Sequence, residues 1–363
     1  MHRRTAVPLA VVPLAVVPLA AAAAGLAARR SRARRSAAAL APDAPARPEP
    51  PKGRERTVVT EDGVDLHVEE HGPAEGEGAV EAVLVLAHGY TQGSRLWGGV
   101  VRDLLTARPR LRVVVYDHRG HGRSGRATQE TATLEQLARD LHRVVETVTE
   151  GRSDLPVLLG GHSMGGMTLM ALAEQHPELF EGRVAGVAFI GTSSGGLDEV
   201  PWGLPAPLVP LFKKLLPVAN RLAYEAERRG RARRQIRWFE AFVNFAAGAD
   251  PADVQDVLDV QAECSAETMH FFLATFSDHD RGRALDALAH VPSLVVVGEQ
   301  DRLCPVEHSR AIAAALPRSE LVLFPGAGHM VHLERRPEVV RHLAALVDRS
   351  LAARSAERMS ASA

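Results

Sequence analysis

Pro156-Val157-Leu158-Leu159-Gly160-Gly161-His162-Ser163-Met164-Gly165-Gly166-Met167 is the stretch whose reading decides the fold. An apolar run, Pro156–Gly160, leads into Gly161-His162-Ser163-Met164-Gly165, and Met167–Gln175 follows with the composition of a helix. A serine set two residues from a glycine on each side, between strand and helix, has the pattern of a nucleophile elbow. The reason is steric. The serine backbone sits in a strained turn, so its close neighbours must lack bulk, hence Gly161 and Gly165. The turn lifts the hydroxyl clear of the sheet at the N-terminus of the next helix, where free N–H groups stabilise a developing oxyanion.

Outward from that turn, strands alternate with helices. Val83–Ala87 and Val113–Tyr116 are short, continuous β-branched runs, which suit buried parallel strands. Val157–Leu159, Val184–Ile190, Leu294–Val297 and Leu321–Phe324 read the same way, and Thr57–Thr60 with Leu66–Glu70 flank the hairpin signal Glu61-Asp62-Gly63. Leu134–Val148 carries apolar residues at helical spacing: Leu134, Leu137, Leu141, Val144, Val145 and Val148. Strand–helix alternation predicts a mostly parallel, eight-stranded sheet covered by helices on both faces. The alternation breaks between Gly195 and Leu288, where helix formers and Pro201, Pro205, Pro207, Pro210 and Pro217 replace strand-like runs. That stretch is expected to be a helical cap over the active edge of the sheet.

A serine hydroxyl is a weak nucleophile and needs a base within hydrogen-bond reach. His329 fits, in Gly326-Ala327-Gly328-His329-Met330 after the last strand, because small residues let the imidazole approach the elbow. The imidazole needs an acid to hold its tautomer. Asp301, after the strand Leu294–Val297, is the candidate, with Glu299 as the alternative. The order Ser163, Asp301, His329 is that of a serine triad on this architecture.

With these motifs the chain resembles the α/β-hydrolase superfamily over residues 57 to 350, and within it serine esterases and monoacylglycerol-lipase-like members. The resemblance implies an oxyanion hole from the backbone N–H groups of Tyr90, in His88-Gly89-Tyr90, and Met164. It places the Tyr90 ring in the acyl pocket. It also matches Asp117-His118-Arg119-Gly120-His121-Gly122-Arg123-Ser124 to a D-x-R-G-x-G-x-S turn, read here as a brace beneath the site. The implied reaction is hydrolysis of a carboxylic ester, monoacylglycerols included, through an acyl-enzyme. Cofactor-free haloperoxidase (perhydrolase), lactonase, acyltransferase and carbon–carbon bond hydrolase chemistry use the same triad and stay open, as does a non-catalytic binding protein, a class that usually lacks a triad member. A serine at the elbow argues against the epoxide hydrolases and haloalkane dehalogenases, which place Asp there.

The remaining polar candidates carry plainer readings. His332 is expected beside the base or at the surface, and His162 packed against neighbouring loops. Asp278, His279 and Asp280 read as a solvated turn at the end of the cap. Cys304 reads as a buried packing residue, and whether it pairs with Cys264 is open. Arg228, Arg229, Arg231, Arg233, Arg234 and Arg237 with Trp238 read as a solvated helix face, or as an attraction for anionic lipid or substrate. No H-E-x-x-H or C-x-x-C spacing occurs among the 16 histidines and 2 cysteines, so no metal and no cofactor is assigned.

Net charge is −1, divided unevenly: residues 1–56 carry +8 and the rest −9. An acidic body argues against nucleic acid as a partner. Residues 5–28 are apolar and flanked by arginines, with Pro8, Pro13 and Pro18 opposing a continuous helix. The expected organisation is a leader at 1–36 (signal or membrane anchor), a Pro/Ala-rich linker at 37–56, core at 57–194, cap at 195–288, core at 289–353 and a disordered tail at 354–363. The protein is expected to be membrane-associated or secreted, with a cytoplasmic body if the leader is an uncleaved anchor, and to act on a small ester.

Overall fold

The computed structural model describes residues 52–73, 80–152, 154–230 and 237–361. The apolar leader lies outside them. No helix among the described residues is long and apolar enough to cross a membrane.

The first two strands, β1 (Arg54–Val59) and β2 (Asp65–His71), form the hairpin expected around Glu61–Gly63. β1 begins inside the stretch read as linker, because Arg56 pairs with Glu70 of β2. Then follow β3 (Ala82–Ala87), α1 (Gly98–Ala107), β4 (Leu111–Tyr116), α2 (Leu134–Val148), β5 (Val157–His162), α3 (Met164–Gln175), α4 (Pro177–Gly182) and β6 (Val184–Ile190). The insertion holds α5 (Val209–Arg228), α6 (Arg237–Asn244), α7 (Pro251–Glu263) and α8 (Ala266–Leu273). β7 (Ser293–Gly298), α9 (Val306–Ala315), β8 (Ser319–Phe324), the single turn α10 (Val331–Glu334) and α11 (Arg336–Ala361) complete the chain.

The eight strands make one sheet in the order β1-β2-β4-β3-β5-β6-β7-β8. β2 is antiparallel to β1 and β4, and the other pairings are parallel. β3 to β7 are buried along their whole length, which is why they read as unbroken apolar runs. One face packs on α2, α3, α4 and α9, the other on α1 and α11. α2 shows how sequence drives this. Thr133 caps it by accepting from the Gln136 N–H (3.1 Å), and its whole apolar stripe is buried. Each such Leu or Val contributes about 1.5–3 kcal/mol on leaving water. The chain leaves β3 for β4 on one side and returns to β5 on the other. The crevice beyond the carboxyl ends of β3 and β5 is therefore a topological switch point, where open α/β sheets bind ligands.

The insertion is not uniform. Residues 201–230 belong to a compact unit of their own, in which α5 carries Pro217 and Trp202 meets the Phe212 ring edge-on at 5.3 Å. α6, α7 and α8 belong to the main unit and sit on the loops beyond the strands. Met330 N–H donates to Asn244 O (3.0 Å), and Thr268 Oγ1 donates to Gly120 O (2.8 Å). The turn Gly282–Leu288, read as the end of the cap, instead buries Ala284, Leu285 and Leu288 in the core beside α3. The stretch read as a disordered tail is the last part of α11: Arg354 donates to Arg183 O (3.0 Å) and Arg358 to Asp154 O (3.2 Å).

The turn after β4 acts as a brace. Asp117 accepts from Ser94 N–H (2.7 Å) and Arg123 N–H (2.9 Å), and Ser124 Oγ donates to Asp117 O (2.6 Å). Arg119, wholly buried, donates from Nε and Nη2 to Asp140 of α2 (both 2.6 Å) and from Nη1 to Asp62 of the hairpin turn (2.7 Å). Burial pushes the Asp140 carboxyl up while Arg119 opposes it, and the Arg119 guanidinium holds Asp62 well below the usual carboxylate range. Replacing Arg119 by Met keeps volume but strands Asp140 without its cation. We predict a loss of about 3–5 kcal/mol in the free energy of unfolding, read by guanidinium titration. A loss below about 1 kcal/mol would contradict the brace.

Candidate active site

Ser163 stands between β5 and α3 at φ 52° and ψ −120°. A non-glycine residue held there costs about 1–3 kcal/mol, so its surroundings must over-determine it. They do. Its N–H donates to Ile190 O (3.0 Å), and its carbonyl accepts from Thr192 Oγ1 (2.7 Å) and Gly166 N–H (2.9 Å). A Cβ on Gly161 would overlap the backbone of Gly165 and Gly166, and one on Gly165 would overlap the carbonyl of Ala87 in β3. Met164 is the first residue of α3, where backbone N–H groups have no acceptor within the helix.

The loop after β3 runs alongside. Gly89 N–H donates to Gln92 Oε1 (3.1 Å), and Thr91, also at positive φ (59°), donates its N–H to His121 Nε2 (3.2 Å). Tyr90 follows Gly89 in this loop. Its hydroxyl donates to Met269 O of α8 (2.6 Å) and its ring meets Phe276 edge-on at 5.1 Å. The ring expected to line the acyl pocket is thus anchored to the cap.

Asp301 and His329 meet at the ends of β7 and β8. His329 Nδ1 donates to Asp301 Oδ2 (2.9 Å), while Asp301 Oδ1 accepts from the N–H groups of Leu303 and Cys304 (2.8 Å each). Glu299, the alternative acid, is exposed and makes no such contact. The carboxylate fixes the proton of His329 on Nδ1, which leaves the Nε2 lone pair as the basic position. Gly191, which carries the chain away from β6, abuts both His329 O and the Asp301 carboxylate, and the imidazole lies 4.7 Å from the ring of His162, the residue preceding Ser163. Ser163 Oγ itself has no hydrogen-bond partner among the described residues.

Behind His329 runs a column of rings. His162 packs at a tilt on His329, His332 lies 4.4 Å from His162, and Trp97 lies 4.6 Å from His332. His162 fills the packing role read from sequence: its Nδ1 faces Gln92 Oε1 (3.1 Å) and its Nε2 faces His329 O (3.0 Å). Gln92 Nε2 then donates to Met330 Sδ (3.3 Å). Gln92 and His162 therefore tie together the loop after β3, the elbow and the loop after β8, a role with no signature in sequence. His332 is buried rather than at the surface. Burial, with His329 as a lesser cause, lowers its pKa to about 3, and burial holds His162 well below the usual histidine range.

Other candidates fall away from this centre. Asp278 and Asp280 are exposed as expected, but His279 is buried, donating from Nε2 to Ser193 O (2.7 Å). Cys264 and Cys304 are both buried and not joined in a disulfide, and burial pushes the Cys304 thiol well up. Of the basic patch, residues 231–236 lie outside the described residues, and Arg237 pairs with Asp259 (3.2 Å). Glu55, His67 and Glu69 approach a metal-binding arrangement among the described residues, but Arg123 already bridges the two glutamates.

The sequence pattern of the family described as serine aminopeptidase, S33, matches residues 78–336. The chain is 30% identical over 287 residues to the dihydrolipoyllysine-residue acetyltransferase component of an acetoin cleaving system from Pseudomonas putida, covering 75% of this chain and only 64% of that relative. It is 28% identical over 262 residues to a monoacylglycerol lipase from Mycolicibacterium smegmatis, covering 71% of this chain and 84% of the relative. An esterase from Exiguobacterium antarcticum superposes with a TM-score of 0.65 at 20% identity, covering 81% of this chain and all of that one.

The site predicts its own acid sensitivity. Burial lowers the pKa of His88, His118, His121, His162 and His332 below the ordinary 6.5, to about 3 for His121 and His332. Below pH 6.5 the unfolded chain therefore binds more protons than the folded one. The stability linked to these neutral rings is complete above that pH and is lost as pH falls toward 3. Each ring adds a slope of up to about 1.4 kcal/mol per pH unit. Denaturant titrations between about pH 7.5 and pH 5 read the slope, and an unfolding free energy flat across that range would contradict the buried neutral cluster.

Proposed function

The chain belongs to the serine aminopeptidase (S33) family of α/β-hydrolases, and on that premise we propose that it cleaves carboxylic esters, monoacylglycerol-like esters first among them, through an acyl-enzyme on Ser163. The observation that carries the proposal is the Asp301–His329 contact beside the elbow, with the second Asp301 oxygen held by two backbone N–H groups. An acid so fixed keeps the imidazole in one tautomer and one orientation.

In the proposed cycle, His329 Nε2 takes the Ser163 proton as Oγ attacks the ester carbonyl carbon. The Tyr90 and Met164 N–H groups hold the oxyanion, with α3 directing its positive end at the same point. The C–O bond to the alcohol breaks, and the leaving oxygen takes the proton from His329. Water then gives a proton to His329 and attacks the acyl carbon. Collapse restores Ser163 Oγ–H and releases the acid. The monoacylglycerol lipase likeness supports a lipid-like acyl group. Residues 5–28 fit this reading as a leader that carries the enzyme to a membrane or out of the cell, which N-terminal sequencing of the mature protein tests.

A fluorophosphonate probe should label Ser163, and Ser163→Ala should lose both labelling and turnover of esters graded by acyl length. Asp301→Asn should lower kcat by about 10⁴-fold with the fold intact, because the amide reverses the tautomer. Near-full esterase activity in Ser163→Ala would sink the assignment.

A further inference from the structure

The C-terminal end of α6 is fastened to the acid and base loops by several polar contacts. Arg302 Nη1 donates to Phe242 O (2.7 Å) and Phe245 O (2.9 Å), with its guanidinium 4.3 Å over the Phe242 ring. Met330 N–H donates to Asn244 O (3.0 Å). The Glu334 carboxylate bridges two backbones: Oε1 accepts from Gly328 N–H (2.9 Å) and Oε2 from Ala246 N–H (3.1 Å). The two backbones touch, since a Cβ on Gly328 would lie 2.5 Å from Ala246 N. Each anchor is next in sequence to the acid or the base, or bonded to a neighbour of one: Arg302 follows Asp301, Met330 follows His329, and Gly328 precedes it.

We propose that the strap Phe242–Ala246 sets the position of the Asp301–His329 pair, with Glu334 and Arg302 as positioning residues. This rests on the reading of those two as acid and base. A helix end needs partners for its last carbonyls, and loop N–H groups or water would serve. Here the partners are the two loops whose separation fixes the Nδ1–carboxylate contact, so the cap strap and the acid–base pair move as one body. Glu334 adds a charge as well as a tether. Burial raises its pKa, the two N–H groups oppose that, and the charged groups that act on it are Asp301, which repels the carboxylate, and His329, whose protonated form favours it. The carboxylate therefore lies in the field of the imidazolium that forms in each half-cycle.

The test uses the full chain with Glu334→Gln, Arg302→Met and Ser163→Ala, each melted first, on an activated ester and a fluorophosphonate. We expect kcat to fall roughly ten- to hundredfold in both strap variants, with KM within about twofold and Ser163 labelling slowed in parallel. Unchanged kcat in folded Glu334→Gln, or a raised KM at constant kcat in both variants, overturns the strap. If Glu334→Gln does not fold, the kcat of Arg302→Met decides alone. Full activity in Ser163→Ala refutes the triad reading; an inactive Ser163→Ala beside strap variants of normal kcat refutes the strap only.

Discussion

One backbone conformation organises this molecule: Ser163 at φ 52°, ψ −120°. The strain of about 1–3 kcal/mol is spread over contacts that also build the site. Ile190 and Thr192 of the β6 end hold the Ser163 peptide from one side, and the Ala87 carbonyl of β3 presses on Gly165 from the other. The turn therefore closes only if β3, β5 and β6 keep their parallel register, Ala87 beside Gly161 and His162 beside Ile190. That register brings the loop after β3 against the first turn of α3, where a Cβ on Gly165 would meet Ala87 and His88 backbone. A side chain at Gly161 or Gly165 would push apart backbone rather than a flexible neighbour, so nothing nearby can give way.

The sheet was legible because its strands are buried on both faces. A strand such as Ala82–Ala87 has no solvent side, so it reads as one apolar run whatever its neighbours do. The loops after those strands were legible for a related reason: Ser163, Asp301 and His329, the proposed nucleophile, acid and base, each follow a glycine at a strand end. The insertion was less so. Helix formers mark the stretch as helical but say nothing of which loop carbonyl meets which guanidinium. The chain end was misread because Ala, Ser and Arg after Leu351 look like a solvated tail, while Arg354 and Arg358 reach the carbonyls of Arg183 and Asp154, distant in sequence.

Gln92, His162 and Glu334 mark where sequence reading stops. Gln92 acts through His162, 70 residues away, and Met330, 238 residues away; Glu334 acts through Ala246, 88 residues away. None sits in a spacing that foretells those partners. A glutamine in a turn and a glutamate in a helical segment are ordinary surface residues until the fold brings their partners to them. Periodicity carries information over one or two turns of an element, whereas these side chains are defined by loops that meet only after the sheet has formed.

On the proposed role of His329 as base, its surroundings suit a ring that carries a positive charge briefly. Another cation within the ring column would compete with the imidazolium, and burial removes that competition by keeping His162 and His332 neutral. The same burial keeps the Cys304 thiol protonated beside Asp301, so no thiolate repels the acid. Asp301, bound directly, and Glu334, one loop away, are two carboxylates that act on the imidazole. Neutral rings supply packing without charge, and two carboxylates held by backbone N–H groups supply charge without mobility. On the proposed cycle, a base that gains and loses a proton twice per turnover is well served by that division, because the field it feels is then set by the folded backbone and not by solvent.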